Sequence, residues 1–101
     1  MAYPFRGNTS TVAYSWAYGL PMVLENFRVV NKTAGAVTMN VYLINGANEI
    51  NISPLNKSIS ANDMYNETDT NIVVLATDRV KVQVGGSCDY NFTFNNLKQV
   101  E

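Results

Sequence analysis

The chain has 101 residues, 47% hydrophobic and 15% charged, with a formal net charge of −1, no histidine and one cysteine. That is the length of one domain, and the apolar share excludes global disorder. Seven scattered Lys and Arg residues give no basic stripe for nucleic acid, and the lack of histidine removes Ser-His, Cys-His and His-metal arrangements.

Cys88 has no partner for an internal disulfide or a thiolate zinc site. No apolar run has the length of a spanning helix, so no membrane contact is expected. The opening MAYPFRGN lacks the apolar stretch of a signal peptide. Asn replaces charge over much of the polar surface. This suits either a surface covered by neighbours or an Asn-rich coding bias.

In chain order, residues 1–19 stand apart as an extended, aromatic N-terminal segment, and residues 20–101 read as the folded domain. Between Thr11 and Tyr18 small or polar residues alternate with Tyr14, Trp16 and Tyr18. In a strand these rings line one face. Three readings are open for that face: cover for the domain's own core, a docking surface for a protein partner, or a sugar-binding platform. Tyr14, Trp16 and Tyr18 are the candidate partner-binding residues.

After the break at Gly19-Leu20-Pro21, Met22 to Val30 reads as a strand with Phe27 and Val29 inward, and residues 31–35 as a turn cluster. Ala36 to Asn45 alternates cleanly, with Val37, Met39, Val41 and Leu43 on one face and Tyr42 on the other. Asn45-Gly46 is a turn dipeptide. Asn48 to Ser53 predicts a short strand with Ile50 and Ile52 inward, placed at a sheet edge by Pro54. Leu55 to Ala61 holds Ile59 in an irregular strand, Met64-Tyr65 is a brief strand, and Asn66 to Thr70 a polar loop. Ile72 to Ala76 is a strand, followed by a tight turn at Thr77-Asp78.

Val80, Val82 and Val84 then alternate with polar residues, as do Tyr90, Phe92 and Phe94, across Gly85-Gly86. The expectation is a central hairpin in which Val84 faces Tyr90, Val82 faces Phe92 and Val80 faces Phe94, turned by glycine's freedom of backbone angle. Leu97 and Val100 are candidate anchors in a polar tail. No helical period appears. Seven or eight short strands predict a single antiparallel β-sandwich, Ig-like or jelly-roll-like, with a small closed barrel as the alternative.

Catalytic signals are weak. Asp63, Glu67 and Asp69 lack the spacing of a calcium loop and read as a solvated loop. Asp78 is expected to bond turn amides, and Cys88 to be an inert turn thiol. Six Asn-x-Ser/Thr sequons are what so many Asn, Ser and Thr residues produce by chance. No catalytic residue, metal or cofactor is expected.

The segments VVNKTAGAVTMNVYLI, ISPLNKSISANDMY and IVVLATDRVKVQVGGSCDYNFTF give a layout between Phe27 and Phe94. A turn leads to an alternating strand, a short strand with proline, a small-residue turn, an apolar strand ending in a turn with Asp, and a final hairpin. This layout resembles a group of small β-sandwich virion proteins of tailed bacteriophages, whose turn before the valine strand is often Gly-Asp where this chain has Thr77-Asp78. The resemblance implies a non-enzymatic capsid auxiliary, or decoration, subunit located in the virion and bound to the major capsid protein, with self-association possible. A head-fibre, neck or tail adaptor is the alternative within that class. A carbohydrate-binding module holding glycans is the alternative outside it.

Overall fold

The computed structural model describes residues 2–96. Leu97 and Val100, named above as anchors, lie outside the described residues, as does the side chain of Asp69. Among the described residues there are nine strands and no helix. They are β1 (Ala2–Thr9), β2 (Val12–Tyr14), β3 (Met22–Asn31), β4 (Val37–Asn45), β5 (Asn48–Asn51), β6 (Lys57–Ile59), β7 (Met64–Val74), β8 (Arg79–Val84) and β9 (Cys88–Asn96).

Two antiparallel sheets share one core. The first has the order β1-β9-β3-β7; the second runs β2-β8-β4-β5, with β6 also on β4. Phe5, Met22, Leu24, Phe27, Val29, Phe92 and Phe94 from the first sheet meet Met39, Val41, Leu43, Val80, Val82 and Val84 from the second in a single buried cluster. Phe27 stacks on Phe92 with ring centroids 5.0 Å apart. The alternation read from the sequence thus assigns the inward faces of β4, β8 and β9 correctly, because side chains of a strand alternate across its sheet.

Pairing is another matter. β8 and β9 form no hairpin: β8 pairs with β2 and β4, and β9 pairs with β1 and β3. The valines and the phenylalanines face each other between sheets instead of lying side by side in one. Alternation specifies which residues point inward but leaves the neighbour open. Gly85-Gly86 carries the chain from one sheet to the other. What Gly86 supplies is room, since a Cβ there would sit 2.8 Å from Val37 Cγ1 and 3.2 Å from Thr33 Cγ2.

β3 contains a bulge. Its register against β9 slips between Leu24 and Asn26, leaving Glu25 as the extra residue. That slip lets Met22 and Leu24, at even positions, and Phe27 and Val29, at odd positions, all be buried. Against β7 the same point spans Ile72 to Thr68, and Asn71 there has a positive φ of 49°. Thr70 Oγ1 donates to the Leu24 carbonyl at this irregularity. Residues 66–70, expected as loop, therefore continue one strand from Met64 to Val74.

The β4–β5 connection turns on Gly46 (φ 60°) and Ala47, so Asn45 belongs to the strand and pairs with Asn48. A left-handed glycine at the first central position is the two-residue hairpin turn that matches strand twist. Ile50, expected inward, is 49% exposed on β5. The chain then loops around Pro54 before rejoining β4 as β6. In that gap Val41 N–H donates to Ser53 Oγ (3.0 Å), and Asn56 N–H donates to Asn40 Oδ1 (2.8 Å).

Residues 1–19 were expected as a segment beside the domain. Their described part supplies edge strands to both sheets: β1 runs along β9 from Ala2 to Thr9, and β2 lies on β8.

Candidate functional site

The candidate partner-binding residues separate in space. Only residues 12–14 are strand; from Ser15 the chain leaves the sheet. Ser15 is buried and pins that departure. Its N–H donates to the Val80 carbonyl (2.8 Å), and its Oγ accepts from Val80 N–H (2.9 Å) and donates to the Trp16 carbonyl (3.1 Å). Trp16, the next residue, is 74% exposed.

Tyr18 turns the other way. It packs on Tyr3 and Phe94, with centroids 6.1 and 5.1 Å away. Its hydroxyl is buried with no hydrogen-bond partner among the described residues, and burial pushes its phenol pKa up. The expectation that three rings share one face is therefore corrected. The strand ends before alternation reaches Trp16 and Tyr18.

Tyr14 instead joins residues the sequence did not connect to it. Tyr14 is paired with Lys81, Lys81 with Tyr42, and Tyr42 with Asn51, a row across the outer face of the second sheet. The Lys81 ammonium lies between two rings, 5.8 Å from Tyr14 and 5.2 Å from Tyr42, and bonds Glu49 Oε2 at 2.9 Å. That bond to Glu49 raises the Lys81 pKa against the opposing effect of burial. Arg79 stacks over Tyr14 at 5.0 Å, while its Nε donates to the Ser15 carbonyl at 3.0 Å.

Each cation is thus held by ring contact and a hydrogen bond, which orders this surface. Tyr42 and Lys81 were legible as outward residues, but no sequence signal placed them beside Tyr14. At the end of this face Gly19 N–H donates to the Ala76 carbonyl at 3.0 Å, bringing Leu20 (43% exposed) to Leu75 (51% exposed). Trp16, Leu20 and Leu75 are all exposed large apolar side chains.

The remaining candidates are structural. Asp78 is buried; one carboxylate oxygen accepts from Leu75 N–H (3.0 Å), as expected of a turn, and the other from Asn45 Nδ2 (2.8 Å), which ties two turns together. Cys88 is corrected from turn thiol to core residue: it opens β9 with no exposure, and burial, then the charge of Asp89, pushes its pKa up. Asp63 Oδ1 accepts from Met64 N–H, and Glu67 accepts from the Tyr65 hydroxyl. Among the described residues no group of three His, Cys, Asp or Glu is placed to hold a metal.

No family model and no curated relative matches the chain. A solved structure, the NLP-core of Drosophila, is similar over 96% of this chain and 98% of its own, at 15% identity and a TM-score of 0.55; it is described as giving insight into pentamer formation and histone binding. That likeness shows the fold. It also corrects the virion reading: the strand-and-turn layout that carried the phage resemblance is shared by a protein described by pentamers and histones. The capsid decoration role, the tail and glycan-binding alternatives, and the major capsid protein as partner are withdrawn on that finding.

Proposed function

We propose that this chain is a non-catalytic subunit that works by assembly, joining copies of itself in a closed ring whose surface holds a protein partner. The observation that carries the reading is Trp16, a large apolar side chain exposed at 74% yet fixed at its base by the buried bonds of Ser15. Trp16 and the other exposed large side chains Tyr14, Leu20 and Leu75 are of the types found at interface centres, and the anchored backbone at Ser15 lowers the entropy cost of ordering this segment on binding. A second copy is the proposed occupant, because the chain follows, over 96% of its length, a fold described in connection with pentamer formation. The contact in a ring is head-to-tail, so Trp16 meets a different surface of the next copy.

In this reading the sandwich is of jelly-roll type. The chain changes sheet at β1 to β2, β2 to β3, β3 to β4, β6 to β7, β7 to β8 and β8 to β9, as two nested Greek keys require. A basic protein is the second reading for the partner. The chain's acidic balance (pI about 5.3) has the favourable sign, and the NLP-core is described in connection with histone binding.

Native mass spectrometry of the purified chain tests the assembly. A closed oligomer is expected for the natural sequence. Trp16→Ala should shift it toward monomer by about 2–4 kcal/mol per contact with little change in monomer stability. A natural chain that stays monomeric at high concentration overturns the reading. Co-sedimentation of the oligomer with purified core histones, compared with an acidic control protein, tests the partner.

A further inference from the structure

The opposite face of the molecule carries a second, separate feature. On the outer side of the first sheet Asn91 of β9 is paired with Arg6 of β1 on one side and Arg28 of β3 on the other. Two interstrand steps put the arginine Cα atoms about 10 Å apart. Both side chains are exposed, and among the described residues neither has an ion pair or a side-chain hydrogen bond.

Together with Gly7, Asn8, Val30 and residues 89–91 they line an open groove of about 620 Å³. The nearest carboxylate in this groove, Asp89, is already engaged by Asn8 Nδ2 at 3.0 Å and Lys32 Nζ at 3.6 Å. The rows beside the arginines hold Pro4, Thr93 and Asn26 on one side and Asn8, Asp89 and Val30 on the other. Arg6 and Arg28 therefore flank Asn91 on one face of the sheet, and the carboxylate that lines the same groove already has partners.

We propose that this groove binds a tetrahedral dianion, a phosphate or phosphomonoester, clasped between Arg6 and Arg28 over Asn91. One carboxylate is satisfied by the fork of a single arginine. A phosphate group has oxygens to offer both arginines and a charge that balances both. The Asn91 amide donates to a third oxygen, and Val30 leaves a half-buried apolar wall for an esterified substituent.

The test is an NMR titration of the isotope-labelled full chain at about pH 8, where phosphate is dianionic, with ionic strength held by sodium chloride. Inorganic phosphate is expected to shift the Arg6 and Arg28 Nε–H and the Asn91 amide signals saturably. Arg6→Gln and Arg28→Gln should each weaken binding about tenfold and the double variant abolish it, while Lys57→Gln, on β6 and outside the groove, changes it less than about twofold. Tighter binding of phenyl phosphate than of inorganic phosphate supports an esterified ligand, and equal affinity supports the free ion. A response to acetate equal to that to phosphate overturns the proposal. So does undiminished binding by the double variant, or a dissociation constant weaker than about 10 mM.

Discussion

Asn31 closes one end of the sandwich with every polar atom of its side chain in use. Its two Nδ2 hydrogens serve the carbonyls of Gly35 (2.8 Å), Ile59 (3.0 Å) and Ser60 (3.1 Å), one of them shared between two acceptors, and its Oδ1 accepts from Thr33 N–H and Oγ1, both at 2.8 Å. Asn31→Ala strands these groups in a buried place and should cost about 2–3 kcal/mol in urea melts. Asn31→Asp should be no better, since it turns a carboxylate oxygen toward three carbonyls. Cys88→Ser puts a hydroxyl where the thiol is fully buried, and should cost about 1–3 kcal/mol. The same burial sets an alkaline limit. Tyr65 is pushed up to about 12 by burial, then by the bond its hydroxyl donates to Glu67, then by that residue's charge. Tyr18 and Cys88 are raised from their ordinary 10.0 and 9.0 by burial. Each folded-state pKa lies above its unfolded value, so the folded chain holds more protons in between. Their contribution is fully present below the unfolded values and is lost as pH rises through the folded ones. Denaturant midpoints should therefore fall from about pH 9 toward pH 12, and Tyr65→Phe should flatten the upper part of that fall. A midpoint constant over this range would contradict the assignment.

At the scale of strands, the inward residues were legible and the pairings were not. Val80, Val82, Val84, Phe92 and Phe94 are all buried as alternation required. Two adjacent amphipathic strands joined by Gly-Gly satisfy that pattern equally well as a hairpin in one sheet or as facing strands in two. The choice rests on contacts far apart in sequence, such as Gly85 N–H to the Thr38 carbonyl at 3.0 Å and Lys32 N–H to Ser87 at 3.0 Å. The glycines themselves give a test. Gly86→Ala places a methyl 2.8 Å from Val37 Cγ1 and should cost about 1–3 kcal/mol through overpacking. At Gly85 the added carbon is 3.6 Å from Thr38 N, an ordinary contact, so Gly85→Ala should cost less than about 1 kcal/mol. Equal losses would mean that backbone freedom, and not space, is what the crossover needs. The outer face of the second sheet illustrates the same limit on sequence reading. Tyr42, Arg79 and Lys81 were recognisable as outward-facing, but their meeting with Tyr14 depends on the β2–β8–β4 order, which no local pattern encodes.

For the whole molecule, the question is how far the domain depends on its first residues. A sandwich complete from residue 20 would leave β9 at the edge of its sheet, with β1 a detachable strand. The packing argues for dependence. Phe5 is 8% exposed and packs against Tyr90 and Phe92 at 4.7 and 5.5 Å, while Tyr3 leans on Tyr18. Eight residues of β1 are in register with β9. Losing Phe5 alone should cost about 3–5 kcal/mol. A domain of this size has only about 5–15 kcal/mol in hand, and removal of the strand also bares the backbone groups of a long, flat edge. Deletion of residues 1–10 is therefore expected to give a chain that is largely unfolded at room temperature or that associates through β9. Circular dichroism melts and size-exclusion chromatography of the shortened chain, beside Phe5→Ala in the full chain, separate the contributions. Loss with both changes locates the dependence in the core contact of Phe5. Loss with the deletion alone locates it in the β1–β9 ladder. A shortened chain that melts within about 1 kcal/mol of the full one, and stays dispersed, would restore residues 1–19 to the status of an arm laid on a finished domain.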